Sequence, residues 1–260
     1  MRSHENFQHE EPIISLIGPS NLDYFITQFA LSRLGFGVLL VSTRLAPEAC
    51  LKLMKESRSR TVIQSESTLS YALGHKVHDL DNSIRVIPLA TGDVYRDSKW
   101  DDEASARSYL LDEEDAQDKI AIVYHSSGST GLPKTIATSH AKLLAPIPPG
   151  KGMKALTASP LVHAFGSKLT LNAIIAGKCM YLTSASVPST SASLTEAFQA
   201  AKPDTFLTVP YVLKLMAETE EGVQALRDCE QVVSSGSMLS DELGDRLVQE
   251  GVNIETLFAG

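Results

Sequence analysis

Ile120-Ala121-Ile122-Val123-Tyr124-His125-Ser126-Ser127-Gly128-Ser129-Thr130-Gly131-Leu132-Pro133-Lys134 is the stretch on which the reading of this chain turns. Its first five residues are apolar or aromatic without alternation, the pattern of a strand buried on both faces. Two glycines, four hydroxyl side chains and one lysine follow within nine positions. Glycine lets the backbone turn sharply and come close to a ligand. Hydroxyls and freed N–H groups supply donors, and the lysine supplies positive charge. A concavity of that composition suits a polyphosphate.

Two common nucleotide motifs do not fit. The P-loop requires Gly directly before Lys and four residues between its glycines. Here Pro133 precedes Lys134, and only Ser129 and Thr130 separate Gly128 from Gly131. The dinucleotide fingerprint needs a third glycine, and Ser126 stands where the first of the three would be. The plainer alternative is a Ser/Gly surface turn, since such clusters mark loops. The buried strand before it and the Pro-Lys that closes it weigh against an idle turn.

Working outward, the chain alternates short apolar runs with helical patterns. Pro12 to Gly18 reads as a strand. Asn21 or Ser20 can cap a helix over about 21–34, with Leu22, Phe25, Ile26, Phe29 and Leu34 at helical spacing. Val38–Val41 is a second strand, and Thr43–Glu48 opens another helix with Pro47 in its first turn. Further strands are expected at Thr61–Ile63, Ile84–Ile87, Lys154–Pro160, Cys179–Leu182, Thr205–Pro210, Val232–Ser237 and Val252–Phe258. Helices are expected after Ser139, over 167–176, through Ala200 behind a Ser193/Glu196 capping box, and over Asp241–Gln249. Residues 91–118 are strongly acidic and read as a solvated connector. Strand, helix and strand with short links predict an α/β fold of mostly parallel sheet covered by helices.

Composition narrows the partners. With 260 residues, 43% hydrophobic and 21% charged, the chain is ordinary for a globular protein. A formal charge of −8 argues against a nucleic-acid partner, which would need a basic face. No apolar run reaches the length needed to span a bilayer, so no membrane partner is expected. Cys50, Cys179 and Cys229 lie far apart, with no metal-ligand spacing, and read as buried reduced thiols of a cytoplasmic protein.

The S-S-G-S-T-G-x-P-K run resembles the phosphate-binding loop of adenylate-forming (AMP-binding) enzymes. These include acyl-CoA synthetases, luciferases and the adenylation domains of nonribosomal peptide synthetases. With His125 ahead of Ser126-Ser127, it looks most like fungal synthetase-like proteins, including adenylating carboxylic acid reductases. The resemblance implies ATP and magnesium as cofactors and a small carboxylic acid as substrate, activated as an acyl-adenylate with release of pyrophosphate. It implies that Ser126, Ser127, Gly128, Ser129, Thr130, Gly131 and Lys134 hold the phosphates.

Later segments extend the likeness. Pro160-Leu161-Val162-His163-Ala164-Phe165-Gly166 resembles the family's Pro-x-x-His-x-x-Gly segment beside the acyl pocket. By likeness His163, Phe165, Gly166 and Met238 would line the carboxylate channel; on its own, a His among apolar residues reads as a hydrogen-bonded core residue. Ser235-Gly236-Ser237-Met238-Leu239 resembles the Gly-Gly-Ala-x-Leu turn that approaches adenine, with Ser235 in place of the first glycine. Phe258 takes the aromatic place of the Tyr-Gly-x-Thr-Glu segment. The family's magnesium-side Glu, its ribose Asp and its C-terminal Lys are not matched. Residues 1–260 are therefore expected to form a truncated adenylation domain without the C-terminal subdomain. A carrier domain, or a separate chain supplying the missing half, is the expected protein partner. No catalytic residue and no protein metal ligand is assigned, and a catalytically incomplete nucleotide-binding or interaction module is the alternative.

Overall fold

The computed structural model describes residues 12–96, 113–126, 132–145 and 150–257. Ser127, Gly128, Ser129, Thr130, Gly131 and Phe258 lie outside the described residues, as does most of the acidic connector. The chain divides into two compact units, residues 1–145 and 146–260.

The first unit runs β1 (Ile13–Ile17), α1 (Leu22–Arg33), β2 (Gly37–Val41), α2 (Pro47–Glu56), β3 (Thr61–Gln64), α3 (Thr68–Leu80), β4 (Arg85–Pro88), α4 (Gly92–Arg96), α5 (Glu113–Asp118), β5 (Ile120–Ser126), β6 (Lys134–Ser139) and α6 (His140–Leu144). Its sheet has the order β4-β3-β1-β2-β5-β6. All neighbours are parallel except β5 and β6, which form an antiparallel hairpin. The continuous apolar runs of β1, β2 and β5 are buried, as expected for strands covered on both faces. One face packs Leu39, Val41, Val62 and Val123 against Cys50, Leu53 and Met54 of α2 and Leu73 and Val77 of α3. Asn21 caps α1, its side-chain oxygen accepting from the Tyr24 amide at 2.9 Å. Gly35 then ends the helix at φ 86°, a left-handed conformation that glycine adopts freely.

The second unit runs β7 (Lys154–Thr157), α7 (Ala164–Ile175), β8 (Cys179–Leu182), α8 (Ser191–Ala201), β9 (Thr205–Thr208), α9 (Pro210–Met216), α10 (Glu220–Arg227), β10 (Gln231–Ser234), α11 (Asp241–Gln249) and β11 (Ile254–Thr256). Its sheet, β11-β10-β9-β7-β8, is parallel throughout. Leu156, Phe206 and Val232 point into a core built with Leu194, Phe198, Leu213, Met216, Leu226 and Leu247. Asp204 ties the start of β9 to β7. Its Oδ2 accepts from the amides of Met153 and Lys154 at 2.7 and 2.9 Å, which holds the carboxyl below its ordinary value.

The α/β class with mostly parallel sheet is thus present, with local departures. Lys134–Ser139 is a strand, where only an approach to a helix was expected. Helix α3 was not expected. The cap of α8 is Thr190, which exchanges hydrogen bonds with Ser193, so the helix starts at Ser191 and Ser193 is its third residue. Cys50 and Cys229 are buried, and burial pushes each thiol up to about 12, but Cys179 is exposed. Its strand, β8, lies at a sheet edge, which leaves the Cys179 side chain less covered than a central strand would. Among the described residues no helix is long and apolar enough to cross a membrane.

Candidate functional site

In the first unit the candidate site is built on the β5–β6 hairpin. The register pairs His125 with Thr135 and Ser126 with Lys134, the last pair before the strands part. Residues 127–133, the glycine–hydroxyl run, connect them. Because β5 is parallel to β2, this connection leaves from the carboxyl edge of the sheet, where open α/β sheets bind ligands. Lys134 and Leu132 are exposed, and Pro133 between them is buried.

Side chains hold both stems. The half-buried His125 accepts a hydrogen bond at Nε2 from the amide of Ser42, just past β2, at 3.2 Å. On the other stem the Lys52 ammonium of α2 donates to the Pro133 carbonyl at 3.0 Å and pairs with Glu56 at 2.6 Å. At the foot of the hairpin, Ser139 caps α6 through the Lys142 amide. His140, the first residue of α6, is held below the ordinary imidazole value, first by burial and then by the Lys119 ammonium. Sequence reasoning missed Ser42 and Lys52. The only local signal for Lys52 was its four-residue spacing from Glu56, which says nothing of Pro133.

In the second unit the expected site residues also lie beyond the carboxyl ends of parallel strands. His163 follows β7 and is the N-cap residue of α7; its side chain is exposed. The half-buried Phe165 packs on Leu169, Leu207 and Val233. Gly166 is buried where the turn folds back on itself. A Cβ there would sit 2.4 Å from the Pro160 carbonyl oxygen and 2.8 Å from that of Ser159. The fold therefore requires glycine at that position whatever else the residue does.

After β10, Ser235 is buried and Gly236, Ser237 and Met238 are exposed. The Ser235 hydroxyl donates to the Leu257 carbonyl at 2.7 Å, and the Leu257 amide donates to Ser234 at 2.9 Å. Gly236 has φ 89°, the left-handed region that favours glycine. Just before this turn, Ser234 on β10 is the register partner of Thr208 on β9, and among the described residues their buried hydroxyls have no hydrogen-bond partner. The Ser159 hydroxyl beyond β7 is in the same condition. Buried polar groups are rarely left so, and strand-end hydroxyls of this kind are chemically suited to a polar ligand group. No sequence signal singled them out.

Among the described residues no group of three or more His, Cys, Asp or Glu side chains could hold a metal ion.

The family model for the AMP-binding enzyme matches residues 2–259. An adenylate-forming reductase of Aspergillus terreus (strain NIH 2624 / FGSC A1156) is 28% identical over 265 residues, covering 94% of this chain and 24% of the relative. Two solved structures share the fold. The luciferase-like enzyme from the nonluminescent Zophobas morio mealworm superposes with a TM-score of 0.77 at 18% identity, over 96% of this chain and 59% of that one. The Klebsiella oxytoca NpsA N-terminal subdomain in complex with 3-hydroxybenzoyl-AMSN gives 0.75 at 18% identity, over 95% and 59%. The chain therefore spans about a quarter of the length of the curated relative, as its 24% coverage states.

Proposed function

This chain belongs to the AMP-binding enzyme family, and from that premise we propose that it activates a small carboxylic acid with ATP. In the proposed reaction a carboxylate oxygen attacks the α-phosphorus. The bond from that phosphorus to the bridging oxygen breaks, and pyrophosphate leaves with the electron pair. The product is an acyl-adenylate, in which AMP has turned a poor electrophile into a reactive one.

The observation that carries this reading is the β5–β6 hairpin. It sits at a sheet's carboxyl edge, with Ser126 opposite Lys134 and both stems held by side chains. Phosphoryl chemistry of this kind depends mainly on positioning and on donors aimed at developing charge. Ser127, Ser129, Thr130 and the amides of Gly128 and Gly131 are assigned to the β- and γ-phosphates, and Lys134 to steadying the loop or meeting outer phosphate charge. In the second unit the Ser235–Met238 turn and Phe258 are assigned to adenine, and His163, Phe165, Gly166 and Met238 to the acid. The orphaned hydroxyls of Ser159, Thr208 and Ser234 support a polar ligand at that sheet's carboxyl edge. The described residues offer no all-protein metal cage, so magnesium enters this reading only as the companion of the nucleotide's phosphates.

A second reading has its own support. The relative's further length means that catalytic parts of such a protein can lie outside this chain. Here the chain would bind a nucleotide weakly, or serve as an interaction module, without turnover.

Exchange of labelled pyrophosphate into ATP, run across a panel of acids, separates the two. Acid-dependent exchange above the level of a Lys134→Ala, Gly128→Ala double variant supports activation. ATP binding without exchange supports the second reading.

A further inference from the structure

We propose that Lys52 and His125 form a two-point clamp on the β5–β6 hairpin and act as positioning residues for the connection between its stems. The proposal rests on the phosphate-binding reading of that connection. Neither contact belongs to the strand ladder. Each joins a side chain to a backbone group far away in sequence, 83 positions for His125 with Ser42 and 81 for Lys52 with Pro133.

The chemistry of each contact is specific. A backbone amide can only donate, so His125 Nε2 must be the unprotonated nitrogen and the ring carries its proton on Nδ1. This ties the first stem to the end of β2. Pro133 has no amide hydrogen, so its second stem can be held through the carbonyl and not through its own donor. The Lys52 ammonium takes that carbonyl, and Glu56, one turn further along α2, steers the ammonium. Both contacts sit within a residue of the Ser126–Lys134 pair at which the ladder stops. With one stem tied to the end of β2 and the other to α2, the two ends of the hairpin are held before any ligand arrives, so the clamp favours phosphate binding by preorganisation.

The test uses the whole chain, with backbone hydrogen exchange and calorimetric titration of magnesium–ATP and of AMP. His125→Leu should raise the exchange rate of the Ser42 amide by about fivefold to tenfold, the worth of an ordinary hydrogen bond. His125→Gln, whose side-chain oxygen can accept the same bond, should restore protection. Lys52→Met should speed exchange at Lys134 and Thr135 and weaken ATP binding by about tenfold while leaving AMP binding alone. Lys52→Arg, which can still donate, should stay within about twofold of the natural chain. Unchanged exchange in His125→Leu and Lys52→Met overturns the clamp. So does an arginine variant as damaging as the methionine one, which would assign Lys52 to packing alone. If the natural chain fails to bind magnesium–ATP, the functional reading above is overturned, and the exchange rates still decide the clamp.

Discussion

Ser126 and Lys134 face each other as the final register pair of the β5–β6 ladder, so the glycine–hydroxyl run begins and ends on one rung of the sheet. The lysine is exposed there, on a stem whose neighbouring carbonyl is already taken by Lys52. In the proposed function its ammonium meets outer phosphate charge. Lys134→Ala should lower ATP affinity by about tenfold or more, the worth of a charge-assisted bond, with no measurable change in melting temperature. Calorimetric titration alongside a thermal melt checks both halves.

Gly166 and His163 should behave oppositely although they are three residues apart. A methyl group at Gly166 collides with backbone oxygens of the same turn. Gly166→Ala should destabilise the second unit by about 1–3 kcal/mol, the usual cost of overpacking. His163 is exposed at the start of α7, so His163→Ala should stay within about 0.5 kcal/mol of the natural stability. It should nonetheless alter which acids support pyrophosphate exchange. Urea unfolding of both variants, with the acid panel for the second, separates packing from recognition.

The buried Ser235 closes the turn after β10, and its hydroxyl donates to the Leu257 carbonyl. Ser235→Ala leaves that carbonyl unpaired and should cost about 0.5–1.5 kcal/mol in urea unfolding. Because the Ser235 turn is assigned to adenine in the proposed function, AMP affinity should fall with it. An unchanged AMP affinity would limit Ser235 to a structural part.

His140 sets a pH dependence. Its folded value lies below the ordinary 6.5, because burial and the Lys119 ammonium disfavour the imidazolium. The unfolded chain therefore binds the proton more readily. The stability from His140 is fully present above pH 6.5 and is lost as pH falls through that value towards the lower folded one. His140→Gln should flatten that part of the stability profile, measured by urea unfolding at a series of pH values.

How much of this was legible in the sequence depends on which force fixes each element. Ile120–Tyr124 announced β5 because a strand covered on both faces needs an unbroken apolar run. Asp241–Gln249 was equally plain, with Ser240 as cap and acids in the first turn. By contrast, β6 carries Lys134, Thr135 and Thr138 with an exposed Ile136, and no local pattern marks it. It is an edge strand that exists through its pairing with β5, a tertiary effect. Helix α3 was hidden by Gly74 at its middle, a poor helix former, where the Gln64 side-chain amide packs against the glycine and would have to shift to admit a Cβ. At α8 both Thr190 and Ser193 qualify as caps by residue type; the cap is Thr190 because its hydroxyl oxygen accepts from the Ser193 amide, at 3.2 Å.

The candidate site divides the same way. The glycine–hydroxyl run was readable because its composition is its chemistry. Lys52 and Ser42 were not, since their partners lie more than eighty positions away. The orphaned hydroxyls of Thr208 and Ser234 look like any strand residues until the register sets them side by side.

A β5–β6 hairpin that grips the β- and γ-phosphates of ATP must distinguish ATP from AMP. Calorimetric titration of both nucleotides, into the natural chain and into Gly128→Ala, measures that difference. ATP should bind more tightly than AMP, and the glycine substitution should remove this preference while sparing AMP. Equal affinities for the two nucleotides, or a preference for ATP that survives the substitution, would contradict it.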